Sequence, residues 1–334
     1  MRAMVIEAQG PIESQPLHLL ELDKPRPAAN EILVRVLACG VCRTDLHVSE
    51  GDLPPHRERI VPGHEVVGEV AQCGAQARRF QLGQRVGVAW LRETCGVCKY
   101  CRRGDENLCP NARFTGYDHD GGYAEYTVVR EDYAYAMPEN LTVQDSAPLL
   151  CAGIIGYRAL KRAGVRPHST VGLYGFGGSA HIALQVARYW GCQVYVMTRG
   201  GRHRAHAHEM GADWVGTAAE RPPAPLDCAI LFAPAGDLVA PAMEALDRGG
   251  ILAVAGIYLS PIPSLDYQRD LFYEKELRSV TANTRRDGEE FLELAGKIPI
   301  RTTTEPSSLE QANQALAALK HDQLKGAAVL RIAI

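Results

Sequence analysis

Nowhere among the 334 residues does an unbroken apolar run approach the roughly 20 residues that a membrane-spanning helix requires. An excess of one charge is also missing. The 36 Lys and Arg against 39 Asp and Glu leave a formal net charge of −3, which argues against a nucleic-acid or anionic-membrane partner that needs a broad basic field. The opening "MRAMVIEAQG" has neither a basic segment leading into an apolar one nor an Arg- and Ser-rich amphipathic pattern, so export and organelle import are unsupported and a cytoplasmic location is expected. No internal repeat or disordered tail stands out. What remains is 46% hydrophobic and 22% charged residues, the composition of a soluble globular protein. The length suits two domains with separate cores, and the expected partner is a small molecule.

Cysteine, by contrast, is plentiful, with ten residues. In a reducing cytosol clustered cysteines are candidates for metal or catalytic sites rather than disulfides. Cys73, Cys192 and Cys228 stand alone in apolar surroundings and read as small hydrophobic core residues. Cys95, Cys98, Cys101 and Cys109 do not: "CGVCKYCRRGDENLC" has the spacing C-x2-C-x2-C-x7-C, which lets one tight loop bring four thiolates to the corners of a tetrahedron around Zn2+. An Fe–S cluster is the rival reading. No further cluster ligands lie nearby, and Lys99, Arg102 and Arg103 can offset the charge of a Zn(Cys)4 unit, which favours zinc. Four protein ligands close the site, so this zinc would hold a lobe, residues 92–112, together and do no chemistry.

A second pair, Cys39 and Cys42 in "CGVCRTDLH", fits a thioredoxin-like redox motif or half of a metal site, and spacing alone does not separate them. About twenty residues on, "VPGHEVVGEV" supplies His64 beside Glu65. In the middle of the chain, "STVGLYGFGGSAHIALQVARYWGCQVYVMTRG" runs from an apolar strand through Gly175, Gly177 and Gly178 into a helix with apolar periodicity, then into the strand "QVYVMT". The spacing is G-x-G-x-x-A with Ala180 in the third small position. The first glycine makes the turn, the second lets backbone approach a pyrophosphate, and the third small residue permits helix–strand packing. The phosphates would then rest on the helix N-terminus. Strands at "DCAILFA", "GILAVAGI" and "RSVTANT", alternating with helices such as "DLVAPAMEALDR", predict a doubly wound parallel sheet. Residues before about 152 are strand- and turn-rich; after 288 come a helix, "SLEQANQALAALK", and a closing strand, "AAVLRI".

Taken together, the two cysteine segments, His64–Glu65, "APLLCAGIIGYRAL" at 147–160 and the glycine turn resemble the zinc-dependent alcohol dehydrogenases of the medium-chain dehydrogenase/reductase family, over essentially the whole chain. The resemblance implies an α/β fold with a discontinuous GroES-like β-rich catalytic domain, residues 1–152 and 288–334, and an inserted Rossmann domain, 153–287. It implies Cys42, His64 and Cys151 as ligands of a catalytic zinc, with Glu65 able to approach the metal, and leaves Cys39 outside the set. Two cysteines, a histidine and an open fourth position suit a zinc that acts on substrate oxygen. By the same resemblance Thr44 accepts the hydrogen bond of the substrate hydroxyl, His47 passes the proton on, and Asp45 orients the histidine ligand. A helix-capping role is the alternative for Asp45. Arg43 matches a position that can approach the pyrophosphate, Trp90 a bulky pocket wall, and Leu53 a place where some relatives have a second Trp.

Departures from the family pattern matter as well. Ile155 stands where many relatives carry Thr beside the nicotinamide, and Ala327 where many carry an Arg that contacts phosphate. No acidic residue occurs between Asp145 and Glu209, so the carboxylate that usually grips the ribose of NAD is missing. Thr198 takes its place, followed by Arg199, Arg202 and Arg204, which favours NADP(H) over NAD(H); the alternative is a solvated helix start with dual cofactor use. His203, His206 and His208 could suggest a further metal site, but the three do not share one helical face and read as a wet surface helix. The expected activity is reversible hydride transfer between an alcohol, expected to be primary, or an aldehyde and NADP(H), in a homodimer or homotetramer with two zincs per chain. The alternatives are a relative acting on another alcohol or polyol, and a non-catalytic zinc-ribbon module with a ligand-sensing Rossmann unit.

Overall fold

The computed structural model describes residues 1–332. They divide into two compact units, residues 1–154 with 282–332, and residues 155–281.

In the flanking unit, β-branched and small apolar residues build a largely antiparallel sheet around the long strand Glu31–Gly40, whose side chains are buried along nearly all of its length. That strand pairs with Glu65–Cys73 on one side and Ala327–Arg331 on the other, and with Tyr126–Arg130 along its first half. Register is what positions the site. Gly40 lies directly opposite Glu65, so the chain leaving the first strand, with Cys42, meets the chain entering the second, with His64. A side chain on residue 40 would collide with the Glu65 carboxylate, which accounts for glycine there. The helix Arg43–Glu50 starts at once after Cys42 and stops at Gly51, whose φ of 90° places it in the left-handed region that favours glycine.

The inner unit holds a six-stranded sheet in the order Trp214–Gly216, Gln193–Met197, Thr170–Tyr174, Leu226–Leu231, Leu246–Val254, Glu276–Ser279, with every neighbouring pair parallel. In chain order this is 3-2-1-4-5-6, the doubly wound nucleotide-binding arrangement, whose winding reverses beside Thr170–Tyr174. Its central strands are buried on both faces, as parallel sheets covered by helices must be. The last strand is displaced from the segment 278–284 that the sequence favours. It runs Glu276–Ser279, because Ala282 takes a φ of 46° and Thr284 then caps the helix Arg285–Lys297 with a reciprocal Asp287 bond. No helix among the described residues is long and apolar enough to cross a membrane.

Candidate metal centres and cofactor turn

Two groups of metal-capable side chains occur among the described residues, Cys95, Cys98, Cys101 and Cys109, and Cys42, His64, Glu65 and Cys151, each with its ligand atoms within 4.8 Å of one another. The histidines of "RHRAHAH" form no such group. His206 instead sets its ring edge-on to Phe176 at 5.6 Å and 6.0 Å from His181.

In the four-cysteine loop, neighbouring sulfurs stand 3.5, 3.6 and 4.0 Å apart. A Zn–S bond of about 2.3 Å corresponds to a tetrahedral edge of about 3.8 Å, so the loop already has the dimensions of a zinc cage. The amides of Cys98 and Cys95 point at the sulfurs of Cys95 and Cys109, at 3.4 and 3.5 Å. The amides of Val97 and Cys98 draw the Cys95 thiol down to about 6, whereas burial pushes Cys109 up to about 11.

The second group assembles from three segments. Cys42 ends the turn after Glu31–Gly40, His64 precedes Glu65–Cys73, and Cys151 caps the short 3-10 turn Ala147–Leu150. The sulfurs of Cys42 and Cys151 are 3.7 Å apart, and Thr44 Oγ1 lies 4.0 Å from Cys42 Sγ. His64 is 1% exposed, and its Nε2 is buried without a hydrogen-bond partner. An orphaned buried imidazole nitrogen is costly in a dry interior, and its position between two thiols and a carboxylate is the donor set of a zinc site. The hydrogen bond shared with Cys151 overcomes burial to hold the Cys42 thiol well below its usual range, while burial, followed by the Cys42 sulfur, pushes Glu65 well above its own. Sulfur and carboxylate crowd one another, and a dication would relieve that repulsion.

Asp45 organises this group. Its Oδ1 is 2.9 Å from His64 Nδ1 and accepts the Gly63 amide at 3.1 Å. Its Oδ2 accepts the Cys42 amide at 2.9 Å and the hydroxyl of buried Tyr123 at 3.3 Å. One carboxylate thus both meets the His64 ring nitrogen and caps the helix Arg43–Glu50. Trp90 meets His64 edge-on at 5.1 Å and stacks on Phe114 at 4.8 Å and on Tyr117 at 6.1 Å. Leu53 packs partly buried against the core of the same unit, and Arg43 is exposed at the start of its helix. His47 Nδ1 stands 2.7 Å from Asp52.

Tyr123, Phe114, Tyr117 and Asp52 carry no motif, and sequence reasoning passes over them. One signal for Asp52 was available: Gly51 is a helix-stop residue that folds its neighbour back over the last turn.

In the inner unit Gly175, with φ 90°, packs so closely that a Cβ would lie 2.9 Å from the Ala233 amide, whereas beside Gly177 the space is open. Gly178 begins the helix Gly178–Tyr189, and Ala180 is fully buried under it. Thr198 follows the second strand and is 7% exposed, with its amide bonded to Gly216, while Arg199 is exposed.

Residues 28–139 match the family profile described as the alcohol dehydrogenase GroES-like domain. The chain is 57% identical to a probable alcohol dehydrogenase, AdhA, of Mycobacterium tuberculosis (strain CDC 1551 / Oshkosh), over 99% of this chain and 97% of the relative. It is 34% identical to an alcohol dehydrogenase of Geobacillus stearothermophilus, over 99% of this chain and all of the relative. Among solved structures, a cobalt- and zinc-bound thermostable alcohol dehydrogenase from Pyrobaculum aerophilum superposes with a TM-score of 0.88 at 28% identity, covering 100% of this chain and 99% of that one. With a GroES-like unit, a parallel Rossmann sheet and relatives of this kind over its full length, the chain belongs to the zinc-type medium-chain alcohol dehydrogenase family and is an oxidoreductase.

Proposed function

We propose that the protein catalyses reversible hydride transfer between a primary alcohol or its aldehyde and NADP(H), NAD(H) being the weaker partner. The flanking unit is the catalytic domain and residues 155–281 the cofactor domain. Two zinc ions per chain complete the enzyme, a structural one on Cys95, Cys98, Cys101 and Cys109 and a catalytic one on Cys42, His64 and Cys151. The observation that carries the catalytic assignment is the buried, partnerless Nε2 of His64 beside the two thiols. A zinc ion bound there supplies Lewis acidity that stabilises negative charge on the substrate oxygen during hydride transfer.

The chain's own residues do the rest. Asp45 fixes the His64 tautomer, with the proton on Nδ1 and the lone pair on Nε2. Thr44 accepts the hydrogen bond of the substrate hydroxyl, His47 takes the proton onward, and Glu65 stands close enough to exchange with a ligand. Trp90, held between aromatic neighbours, gives the pocket a rigid apolar wall near His64, and Leu53 leaves more length than a second Trp would. Gly175, Gly177 and Gly178 receive the pyrophosphate, with Arg43 as a further contact.

The cofactor preference rests on Thr198 and Arg199 at the end of the second strand, where a carboxylate would repel a 2′-phosphate. The outermost strand Glu276–Ser279 and the exposed Tyr267, Phe272 and Leu277 around it support a homodimer or homotetramer. Ten free cysteines, six of them in the two cages, suit a reducing cytoplasm.

Metal analysis combined with a panel of primary, secondary, aromatic and branched alcohols and aldehydes, run with both cofactors, tests the proposal. Two zincs per chain and a higher kcat/KM for NADPH than for NADH are expected. A strong NADH preference would overturn the reading of Thr198 and Arg199, and turnover confined to polyols would move the substrate class.

A further inference from the structure

We infer that the flanking unit carries an anion site outside both metal centres, built on buried Arg92, that takes a phosphate or a phosphate monoester. Arg92 stands in the short strand Leu91–Glu93, two residues beyond Trp90. Its side chain is 4% exposed, and its Nη1 is buried without a hydrogen-bond partner among the described residues. The ion-pair partner Glu31 stands 3.9 Å from Nη2, beyond hydrogen-bond reach, and gives its other oxygen to the Ala28 amide at 2.9 Å. Burial, opposed by Glu31, Asp120 and Glu93, draws this guanidinium down to about 10, so it stays charged at neutral pH. A buried cation with an unmet donor is costly, and an anion is the partner that answers both needs.

The surroundings supply further donors. Arg92 lines a cavity of about 300 Å³ together with Arg57, Arg59 and His119, and no residue of either cysteine group lines it. The three arginines face two lining carboxylates, Asp23 and Asp120. Asp120 is already engaged: its Oδ1 accepts the Val61 amide at 3.1 Å and stands 3.3 Å from Arg57. Arg59 is exposed and forms no ion pair among the described residues. Burial, followed by the Arg92 charge, holds His119 below the usual histidine range, and Arg57 acts the same way against Glu93 and Asp118. The three side chains therefore bear on one place.

Charge and size select the class of ligand. Three guanidinium groups offer more donors than the two oxygens of a carboxylate can use, whereas the three terminal oxygens of a phosphate ester match them. The volume lies at the lower end of small-molecule pockets. Val5, Ile60 and Val128 in the same lining give a small organic group an apolar wall.

Isothermal titration calorimetry of the zinc-loaded full chain tests this, at constant ionic strength in chloride with NADP+ saturating, so that the pyrophosphate turn is occupied. The probes are inorganic phosphate, glycerol 3-phosphate and acetate. Wild type should bind both phosphate probes, one per chain, and acetate more weakly. Arg92→Gln should weaken phosphate binding about 10- to 100-fold, the loss of a charge-assisted hydrogen bond. Arg59→Gln, at the surface, should weaken it about 2- to 5-fold. Phosphate should also raise the urea midpoint of wild type by mass action, and leave that of Arg92→Gln where it is. Glycerol 3-phosphate binding tighter than phosphate assigns an ester as the ligand, and equal or weaker binding assigns the free ion. No binding by wild type, affinity unchanged in Arg92→Gln, or acetate binding as tightly as phosphate overturns the inference. If Arg92→Gln does not fold, Arg59→Gln decides alone, and wild-type affinity there refutes the site.

Discussion

His64 Nδ1 lies 2.9 Å from Asp45 Oδ1, and both side chains are within 2% of complete burial. The carboxylate holds the ring nitrogen that, in the proposed centre, faces away from the zinc. It commits the proton to Nδ1 and leaves Nε2 as a lone pair. The same residue caps the helix that begins after Cys42, so Cys42 and His64, the two proposed ligands from distant strands, are held by one side chain.

Asp45→Asn should therefore weaken the catalytic zinc more than it weakens the fold. An amide can turn its NH2 toward Nδ1, which favours the wrong tautomer, and loss of such a partner costs about 10- to 100-fold in metal affinity or activity. Zinc competition against a chromophoric chelator measures the loss, with the four-cysteine zinc as an internal reference. Unchanged affinity at both sites would contradict this role.

Cys42→Ser and Cys98→Ser should separate the two centres. The first removes one of three catalytic ligands, so activity should vanish and zinc content fall from two per chain to one while the melting temperature moves little. The second opens the closed cage, where metal binding contributes directly to folding free energy, so thermal stability and protease resistance of the lobe should fall sharply. Zinc analysis, melting curves and limited proteolysis read the difference. Equal melting temperatures for the two variants would refute the division into structural and catalytic zinc.

Much of this site is legible in the chain because metal ligation and phosphate binding constrain residue types at fixed spacing. Cys95 to Cys109 lie within one loop, and Gly175, Gly177 and Ala180 lie within one strand–turn–helix, so local sequence carries their geometry. Cys42, His64 and Cys151 are different. Their convergence depends on the register that sets Gly40 against Glu65, and a register between distant strands leaves no local mark. Tyr123 and Asp52 were less visible still, since an aromatic and an acid outside any motif reveal a role only when a hydrogen bond points at Asp45 or His47. The short last strand, Glu276–Ser279, was misplaced for a related reason: the β-branched residues at 280–281 read as strand, but the left-handed Ala282 and the capping Thr284 turn the chain away.

Acid should destabilise the inner unit through His181. Burial, opposed only by weaker backbone bonds at Gly177 and Gly178, pushes this imidazole down to about 4, and its Nε2 is buried without a partner. An unfolded histidine titrates near 6.5. Between those values the unfolded chain takes up a proton that the folded one refuses. The contribution is therefore complete above about pH 6.5 and lost as pH falls toward about 4, at a slope of at most about 1.4 kcal/mol per pH unit. Urea unfolding at pH 7.5 and 5 should show a smaller drop in stability for His181→Gln than for wild type, and parallel drops would count against it.

Gly63→Ala should damage both the fold and the catalytic centre. Residue 63 has a φ of 98°, and a Cβ there would stand 2.4 Å from the ring of Tyr123 and 2.9 Å from Cys39 Sγ. Strain at a left-handed position and overpacking of a filled core each cost roughly 1–3 kcal/mol. The displaced groups are also the ones that matter: the Gly63 amide donates to Asp45 Oδ1 and the Tyr123 hydroxyl to Oδ2. Shifting either loosens the carboxylate that orients His64. The variant should unfold at lower urea concentration and release one zinc per chain faster than wild type, whereas Tyr123→Phe, which keeps the ring and loses only the hydroxyl, should release zinc faster with a much smaller change in stability. Stopped-flow zinc release and urea midpoints on the same preparations distinguish them, and a Gly63→Ala protein with wild-type values for both would mean that the close packing at this turn is not what holds the site.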